Sequence, residues 1–243
     1  MLLRRLMLAV FLAGGLASPA LPQTSGFGDL DPPDVLSLKL GSGAGEQPGP
    51  FREFACGTDG GPPARPLSSF ADFASCPPEA DTGLHEVAFR YDDEIEYYAL
   101  AMNLQPIVER YHGTRFGSFP VIVSALMDDQ GILRGYRVVT DDRVSIRERR
   151  VAYSMAILAR SRLKGEWTCE KLPLADGETP IGRAYTKEDC IGTSAAGHSM
   201  ILQSRYFHRR GQSAIDPHSG RVREGLYEST ARLEVFDAGY EPP

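Results

Sequence analysis

Ser194 and His198 stand four residues apart in the segment Gly192–Ser199, and their side chains are of the types that perform nucleophilic catalysis. A histidine that takes the hydroxyl proton turns serine into the nucleophile of a hydrolase. These two residues are therefore the candidate catalytic pair. The same segment has the Gly, Ser and Ala content of a surface loop, and the sequence identifies no acid that would orient His198. A hydrolase site and an ordinary loop both remain open.

Three histidines, His198, His208 and His218, recur at intervals of ten residues near the end of the chain. If an extended stretch at 199–207 paired with one at 221–226, His208 and His218 would both lie in the connection between them. Two imidazoles placed in this way could share a metal ion or an anion. These two residues are the metal-site candidates, and exposed loop histidines are the alternative.

The acidic residues form short clusters at 92–96, 128–129 and 141–142. Helix N-termini attract acids through the helix dipole, and hairpin turns favour Asp through bonds to the backbone. Calcium is the alternative explanation, but none of the spacings matches an EF-hand loop. The chain also has no nucleophile elbow, Walker loop, dinucleotide fingerprint or zincin helix. The sequence therefore predicts no cofactor.

The four cysteines favour two disulfides, each closing a loop of about 20 residues: Cys56 with Cys76, and Cys169 with Cys190. Each of these pairs brackets a stretch rich in Pro and Gly. A zinc site is disfavoured because there is no Cys-x-x-Cys and the cysteines are not grouped with histidines.

The N-terminus has the order of a secretory signal peptide, which we place at residues 1–20. Arg4 and Arg5 precede an apolar run from Leu6 to Leu16, and Ser18–Ala20 provides small residues for cleavage. An apolar run of about 11 residues is too short to cross a bilayer, which needs about 20. Together with the cysteines, this pattern predicts a periplasmic or secreted protein whose mature chain has no transmembrane segment.

Removal of Arg4 and Arg5 leaves 24 basic against 32 acidic residues, a formal net charge of −8. Such a balance disfavours nucleic acid as a partner, because non-specific binding depends on neutralising phosphates. The run Arg143–Arg150 is a local basic cluster. On a helix it is typical of a solvated face, and a surface for anionic ligands is the alternative.

The element pattern predicts an α+β fold with a mostly antiparallel sheet and two main helices on one face. Residues 21–50 are rich in Gly and Pro and predict a flexible lead, in which Val35–Leu40 could add an edge strand. Residues 51–243 form the domain, with two loosely similar halves at 84–142 and 146–237.

Within the first half we expect a strand around 85–91, helices from 92 to 113, and a hairpin of 120–127 with 132–140 that turns at Gly131. Within the second half we expect a helix at 146–163, a disulfide-closed loop from Trp167 to Cys190, and strands at 199–207, 221–226 and 229–235.

Export, disulfides and the absence of a catalytic motif together favour a non-catalytic binding or assembly module of the bacterial cell envelope. Its expected partner is another envelope protein. The alternative is an envelope hydrolase whose site lies near Ser194 and His198 or among the C-terminal histidines.

Overall fold

The sheet dominates the structure, and all of its strand pairs are antiparallel. A computed structural model of the chain describes residues 34–49, 51–91, 102–104, 114–210, 213–215, 222–224 and 227–240. These residues all belong to the unit Pro32–Pro243. They form twelve strands: β1 (Phe51–Cys56), β2 (His85–Tyr91), β3 (Arg115–Phe116), β4 (Phe119–Met127), β5 (Leu133–Thr140), β6 (Gly165–Lys171), β7 (Glu178–Thr179), β8 (Thr186–Ser194), β9 (Ser199–Arg209), β10 (Ser213–Ile215), β11 (Val222–Glu224) and β12 (Tyr227–Phe236).

Ten of the strands form one sheet, in the order β1-β2-β4-β5-β12-β9-β8-β6, with β3 added to β4 and β7 added to β9. The last strand, β12, lies between β5 and β9, so it joins the first half of the chain to the second. Strands β10 and β11 form a separate two-stranded sheet. The predicted antiparallel sheet is confirmed.

The hairpin of β4 and β5 is confirmed, from Val121 opposite Thr140 to Met127 opposite Leu133. Gly131 lies in its turn with a φ of 76°, a left-handed conformation that suits glycine. The predicted strands at 85–91, 199–207 and 229–235 correspond to β2, β9 and β12.

The helical content is smaller than expected. Two α-helices, α1 (Ile146–Arg149) and α2 (Met155–Arg162), flank a 3-10 turn at Ala152–Ser154, so the helix predicted at 146–163 is broken. The break coincides with side-chain bonds from the sheet: Ser229 Oγ accepts from Tyr153 N, and Ser204 Oγ donates to Tyr153 O. Such bonds compete with the α-helical ladder. The helices predicted between 92 and 113 lie almost entirely outside the described residues.

The prediction of a loop from Trp167 to Cys190 is wrong. Both ends of this region are strands, because β6 (Gly165–Lys171) pairs with β8 (Thr186–Ser194), and Cys169 lies directly opposite Cys190. All the residues of β6 except Trp167 are exposed, so the strand has no face buried along its length.

The lead segment also differs from the expectation that it buries little. Within 34–49 two 3-10 helices form, at Val35–Ser37 and Ala44–Glu46, and the edge strand suggested for Val35–Leu40 is absent there. Val35 is fully buried in the main core, and Ala44 N donates to Gly131 O at 2.9 Å. A fourth 3-10 helix, Phe70–Ser75, packs its Phe70 ring against Phe51, Phe54 and Phe89.

Both sides of the central strands are buried. One face carries the main core, including Val87, Val123, Val138 and Leu233. On the other face the loops at 57–61 and 79–84 cover a group of charged side chains, together with a small apolar cluster of Leu84, Leu126 and Phe236. The candidate site lies beside this second face.

Candidate ligand-binding groove

A groove opens where β2 and β4 stop pairing. Their ladder ends at Phe89 opposite Val123, although β2 continues to Tyr91 and β4 begins at Phe119. Beyond this point β4 no longer bonds to β2. Its backbone bonds instead to the segment before it in the chain, where Val121 N donates to Thr114 O at 3.0 Å. The divergence of the two strands leaves a cavity of about 750 Å³, within the range of small-molecule sites.

The groove combines an apolar floor with charged groups that are already paired. Aliphatic and aromatic side chains form most of its lining, and two ion pairs stand among them. Arg90 Nη1 donates to Glu53 Oε2 at 2.9 Å. Arg143 binds Asp141 through two bonds of 2.9 and 2.8 Å. The charges of the lining cancel, so the groove favours an uncharged ligand with apolar groups.

A β-bulge in β1 aims Glu53 at the groove. The register of β1 against β2 shifts between Arg52 and Ala55, and Glu53 adopts a φ of 51°. A non-glycine residue in the left-handed region is strained by about 1–2 kcal/mol. Bulges are common beside functional sites, where they redirect a side chain. The strain at Glu53 is the backbone feature that singles out this end of the sheet.

Thr114 supplies one further polar group to the lining. The residue is 6% exposed, and its buried hydroxyl has no hydrogen-bond partner among the described residues. A buried hydroxyl without a partner costs free energy that a bound ligand would recover by supplying a donor or acceptor. Thr114 therefore marks the position where a polar atom of a ligand would be favoured.

The wall of the groove is formed by residues 63–67, which bond along the edge of β1. Leu67 N donates to Phe54 O, and Cys56 N donates to Arg65 O, both at 2.8 Å. The Cys56–Cys76 disulfide, with an S–S distance of 2.07 Å, ties the end of β1 to the end of the 3-10 helix at Phe70–Ser75. These contacts hold the wall in place against the sheet.

Behind the wall lies a buried ionic cluster that centres on Arg137 of β5. This side chain is 2% exposed and contacts three carboxylates that are themselves mostly buried, those of Glu79, Glu86 and Glu234. Asp59 and Arg232 complete the cluster at its exposed side. Four acids therefore surround two arginines, so the cluster carries an excess of negative charge when every group is ionised.

Glu86 connects the cluster to the groove. Its carboxylate accepts from Asp59 N at 2.6 Å and from Gly60 N at 3.0 Å, so it fixes the loop that leads into the wall at 63–67. Burial raises the pKa of Glu86, despite the opposing charge of Arg137. Burial also acts to raise the pKa of Glu79, but the hydrogen bond and charge of Arg137 outweigh it, and the pKa of Glu79 is lowered.

Two carboxyl groups with oppositely shifted pKa values can mark an acid–base pair. Here both groups are bound to Arg137 under a loop, and Glu86 is only 2% exposed. A substrate has no access to such a position. The cluster is therefore a structural device that holds two loops. The sequence does not predict this cluster. Glu86 and Arg137 lie in largely apolar strands, and the alternating pattern of those strands predicts that both side chains face solvent.

The structure places Ser194 and His198 at the turn between β8 and β9. Ser194 Oγ accepts from the backbone N–H of His198 at 3.1 Å, and Gly197 in the same turn has a φ of 84°. The contact is a local side-chain bond to the backbone, as expected for serine in a turn. Neither residue lines the groove.

His208 lies within β9, opposite Tyr227 of β12 and Thr179 of β7. The pairing that would have brought His208 and His218 into one connection is wrong, because the described part of the 221–226 segment, β11, pairs with β10. His218 itself lies outside the described residues.

Among the described residues, one group of three potential metal-ligating side chains has its ligand atoms within 4.8 Å of one another: Cys169, Glu188 and Cys190. Both cysteines are in the predicted disulfide, with an S–S distance of 2.03 Å, so their sulfurs are not available as thiolates. The disulfide pairing predicted from spacing is confirmed for all four cysteines. The two bonds are compatible with an oxidising, extracellular compartment.

None of the helices in the described part of the chain is long and apolar enough to span a membrane. Comparison of the chain with models of known families, with characterised proteins and with solved structures found no match.

Proposed function

We propose that the protein is an exported, non-catalytic binding module of the bacterial cell envelope and that the groove between β2 and β4 holds its ligand. The observation that carries this proposal is the combination of a cavity of about 750 Å³, an apolar floor and charged groups already engaged in ion pairs. The signal-like N-terminus and the two disulfides support the exported location.

The lining favours a ligand that is neutral, partly apolar and able to make a few polar contacts. Glu53 and Asp141 are balanced by Arg90 and Arg143, so a strongly charged ligand would have to displace an ion pair. A segment of another envelope protein has the required chemistry, because its main chain supplies polar groups and its side chains supply apolar area. The hydroxyl of Thr114 offers one such polar contact.

A serine or cysteine hydrolase receives no support from the groove. Its lining, all of it in described residues, contains no Ser, Cys or His that could act as a nucleophile or as its base. The hydroxyl of Ser194 is engaged by the backbone of His198 elsewhere in the structure.

The substitution Ala64→Trp tests the proposal, because Ala64 is an exposed residue of the groove wall and a Trp side chain there would fill the cavity. Immobilised wild-type protein should capture an envelope component that the Ala64→Trp protein does not retain. Ala195→Trp, in the exposed turn between β8 and β9, is the matched control and should capture as the wild type does.

Wild-type and Ala64→Trp proteins should show the same far-UV circular dichroism and thermal unfolding midpoint, since Ala64 is exposed and its substitution removes no core side chain. Equal capture by all three proteins would contradict a ligand in the groove. Turnover of envelope material by the purified protein would contradict the non-catalytic assignment.

A further inference from the structure

The end of the sheet opposite β1 carries an open strand edge. β6 is the terminal strand in the order of the main sheet and pairs there with β8. Among the described residues no strand pairs with its other side. At the β1 end, by contrast, residues 64–67 bond along the strand and cover the edge. An uncovered edge presents unpaired backbone donors and acceptors to another strand.

The geometry of the β6–β8 pair identifies which backbone groups face outward. Cys169 and Cys190 are opposite each other with a Cα–Cα distance of 4.0 Å, which is typical of a non-hydrogen-bonded pair. Consistently, Leu172 N donates to Lys187 O at 2.7 Å, as the next hydrogen-bonded pair should. Trp167, Cys169 and Lys171 therefore direct their backbone N–H and C=O groups away from β8.

Two exposed isoleucines flank this edge. Ile191 of β8 is 65% exposed and lies opposite Thr168 of β6. Ile157 of α2 is 64% exposed and stands one turn before Arg160, whose Nη1 lies 3.2 Å from Cys169 Sγ. Large apolar side chains beside unpaired backbone groups give a strand-pairing surface additional area to bury.

The charged residues of β6, together with Lys164 just before it, indicate which kind of strand can pair with this edge. When an antiparallel copy pairs by a two-fold axis centred on Trp167, Lys164 of each chain lies opposite Glu170 of the other, and Glu166 lies opposite Thr168. Centring the axis on 166, 168 or 170 instead places glutamate opposite glutamate, an axis on 165 pairs only one residue of β6 with its copy, and an axis on 169 forms no pair of unlike charges. Like charges directly opposite destabilise a strand pair, and unlike charges stabilise it. Glu166 and Glu170 thus disfavour non-specific pairing at this edge. The register centred on Trp167 still allows two copies of the chain to pair.

We propose that β6 is a homodimerisation edge, at which two copies of this chain pair antiparallel about Trp167 and extend the sheet across the interface. The interaction is isologous, so each Lys164–Glu170 contact occurs twice. It uses a different surface from the groove and does not depend on the proposed ligand. Exposed ion pairs are screened by salt, so the association weakens as ionic strength rises.

Charge reversal tests both the surface and the register. Lys164 and Glu170 are exposed, so substitution at either position leaves the core intact. Glu170→Lys places lysine opposite lysine at both contacts, and Lys164→Glu places glutamate opposite glutamate. Each single variant should raise the dimer dissociation constant by roughly tenfold or more. The double variant Lys164→Glu/Glu170→Lys should dimerise as the wild type does.

An equimolar mixture of the two single variants is the most specific measurement. In that mixture both contacts join glutamate to lysine, so a heterodimer should form from two proteins that self-associate only weakly. Sedimentation velocity at a series of concentrations reports each state. Lys39→Glu, which makes the same charge change at an exposed site outside β6, should leave the wild-type dimer unaffected.

A wild-type protein that stays monomeric at its highest soluble concentration would overturn the proposal. So would a dimer whose dissociation constant is the same in all the variants, because its interface would then lie elsewhere. Circular dichroism of each variant distinguishes a lost interface from a lost fold.

Discussion

At the scale of single residues, Arg137 shows how a charge is accommodated inside a sheet. Its guanidinium donates to Glu79 and Glu234 and lies 3.2 Å from Glu86 Oε1. Hydrogen bonds and the surrounding carboxylates raise the pKa of Arg137 further, although burial opposes the charged form. Removing one partner from a buried ion pair typically destabilises by about 3–5 kcal/mol, because the remaining charge is left unpaired.

Glu86 gives the stability of the fold a specific pH dependence. Its pKa is raised by burial above the ordinary value of 4.5, so the folded state binds more protons than the unfolded state between 4.5 and the raised value. Stability contributed by Glu86 therefore falls as the pH rises through that window. Glu79 has the opposite sign: its lowered pKa means that stability is lost as the pH falls below 4.5.

Glu86→Gln should remove the first of these contributions. We expect the difference in free energy of unfolding, wild type minus Glu86→Gln, to decrease as the pH rises from about 4.5 toward 8. The other charged groups of the cluster, which are Arg137, Arg232, Glu79, Glu234 and Asp59, are the same in both proteins. Urea unfolding across this range measures the difference. A constant difference would show that Glu86 is ionised in the folded state over the whole range.

At the scale of elements, the β4–β5 hairpin illustrates agreement between local and tertiary requirements. Asp128 Oδ1 accepts from the backbone N–H groups of Gln130 and Ile132, both at 2.9 Å, which fixes the turn. Gly131 takes the left-handed conformation, and a Cβ built on it would lie 2.7 Å from Phe73. The turn thus requires glycine for its backbone and again for its packing.

Gly131→Val should destabilise the fold by about 2–4 kcal/mol, from left-handed strain together with overpacking against Phe73. Gly83 has a φ of 67°, and a Cβ added to it would meet no atom within 4 Å, so Gly83→Val carries the strain alone and should cost about 1–2 kcal/mol. Chemical denaturation of both variants separates the two effects. Equal losses would mean that Phe73 moves aside without cost.

Gly135 tests a different contact on the following strand. A Cβ at this position would lie 2.8 Å from Val235 O and 2.7 Å from Phe236 Cδ1, so the neighbouring strand β12 approaches its backbone closely. Gly135→Val should therefore be destabilising in the same denaturation experiment. Unchanged stability would contradict the close packing of β5 on β12.

At the scale of the whole molecule, one end of the sheet is covered and carries the groove, whereas the other end is uncovered and carries the proposed dimer edge. The β1 end is closed by residues 63–67 and by the Cys56–Cys76 bond, and it carries the groove. The β6 end is open among the described residues and carries the proposed dimer edge. Ligand binding and self-association would then use separate surfaces of one sheet.

Ligand binding and self-association would take place in the cell envelope if the protein is exported, as its N-terminal sequence predicts. The order of Arg4–Arg5, the apolar run and Ser18–Ala20 predicts that the purified mature protein lacks about the first 20 residues. Intact mass spectrometry of protein isolated from the envelope should show this loss together with four cysteines in disulfide form. A full-length product recovered from the cytoplasm would contradict the signal peptide.

The sequence by itself determined the features that depend on neighbouring residues. Alternation predicted β2 and β12, the Asp-rich turn ending in Gly131 predicted the hairpin, and spacing predicted both disulfides. Each of these rests on period-two patterning, turn chemistry or loop length, which are local properties of the chain.

Only the tertiary structure decided the rest. β6 buries little apolar area, because all of its residues except Trp167 are exposed, and it is a strand because β8 pairs with it. Glu86 and Arg137 have the alternation of solvent-facing positions, and they are buried because the loops at 57–61 and 79–84 fold over them. The groove arises from the divergence of two strands and draws its lining from residues 53 to 144. Such sites form between segments that are far apart in the sequence, so no local sequence pattern predicts them.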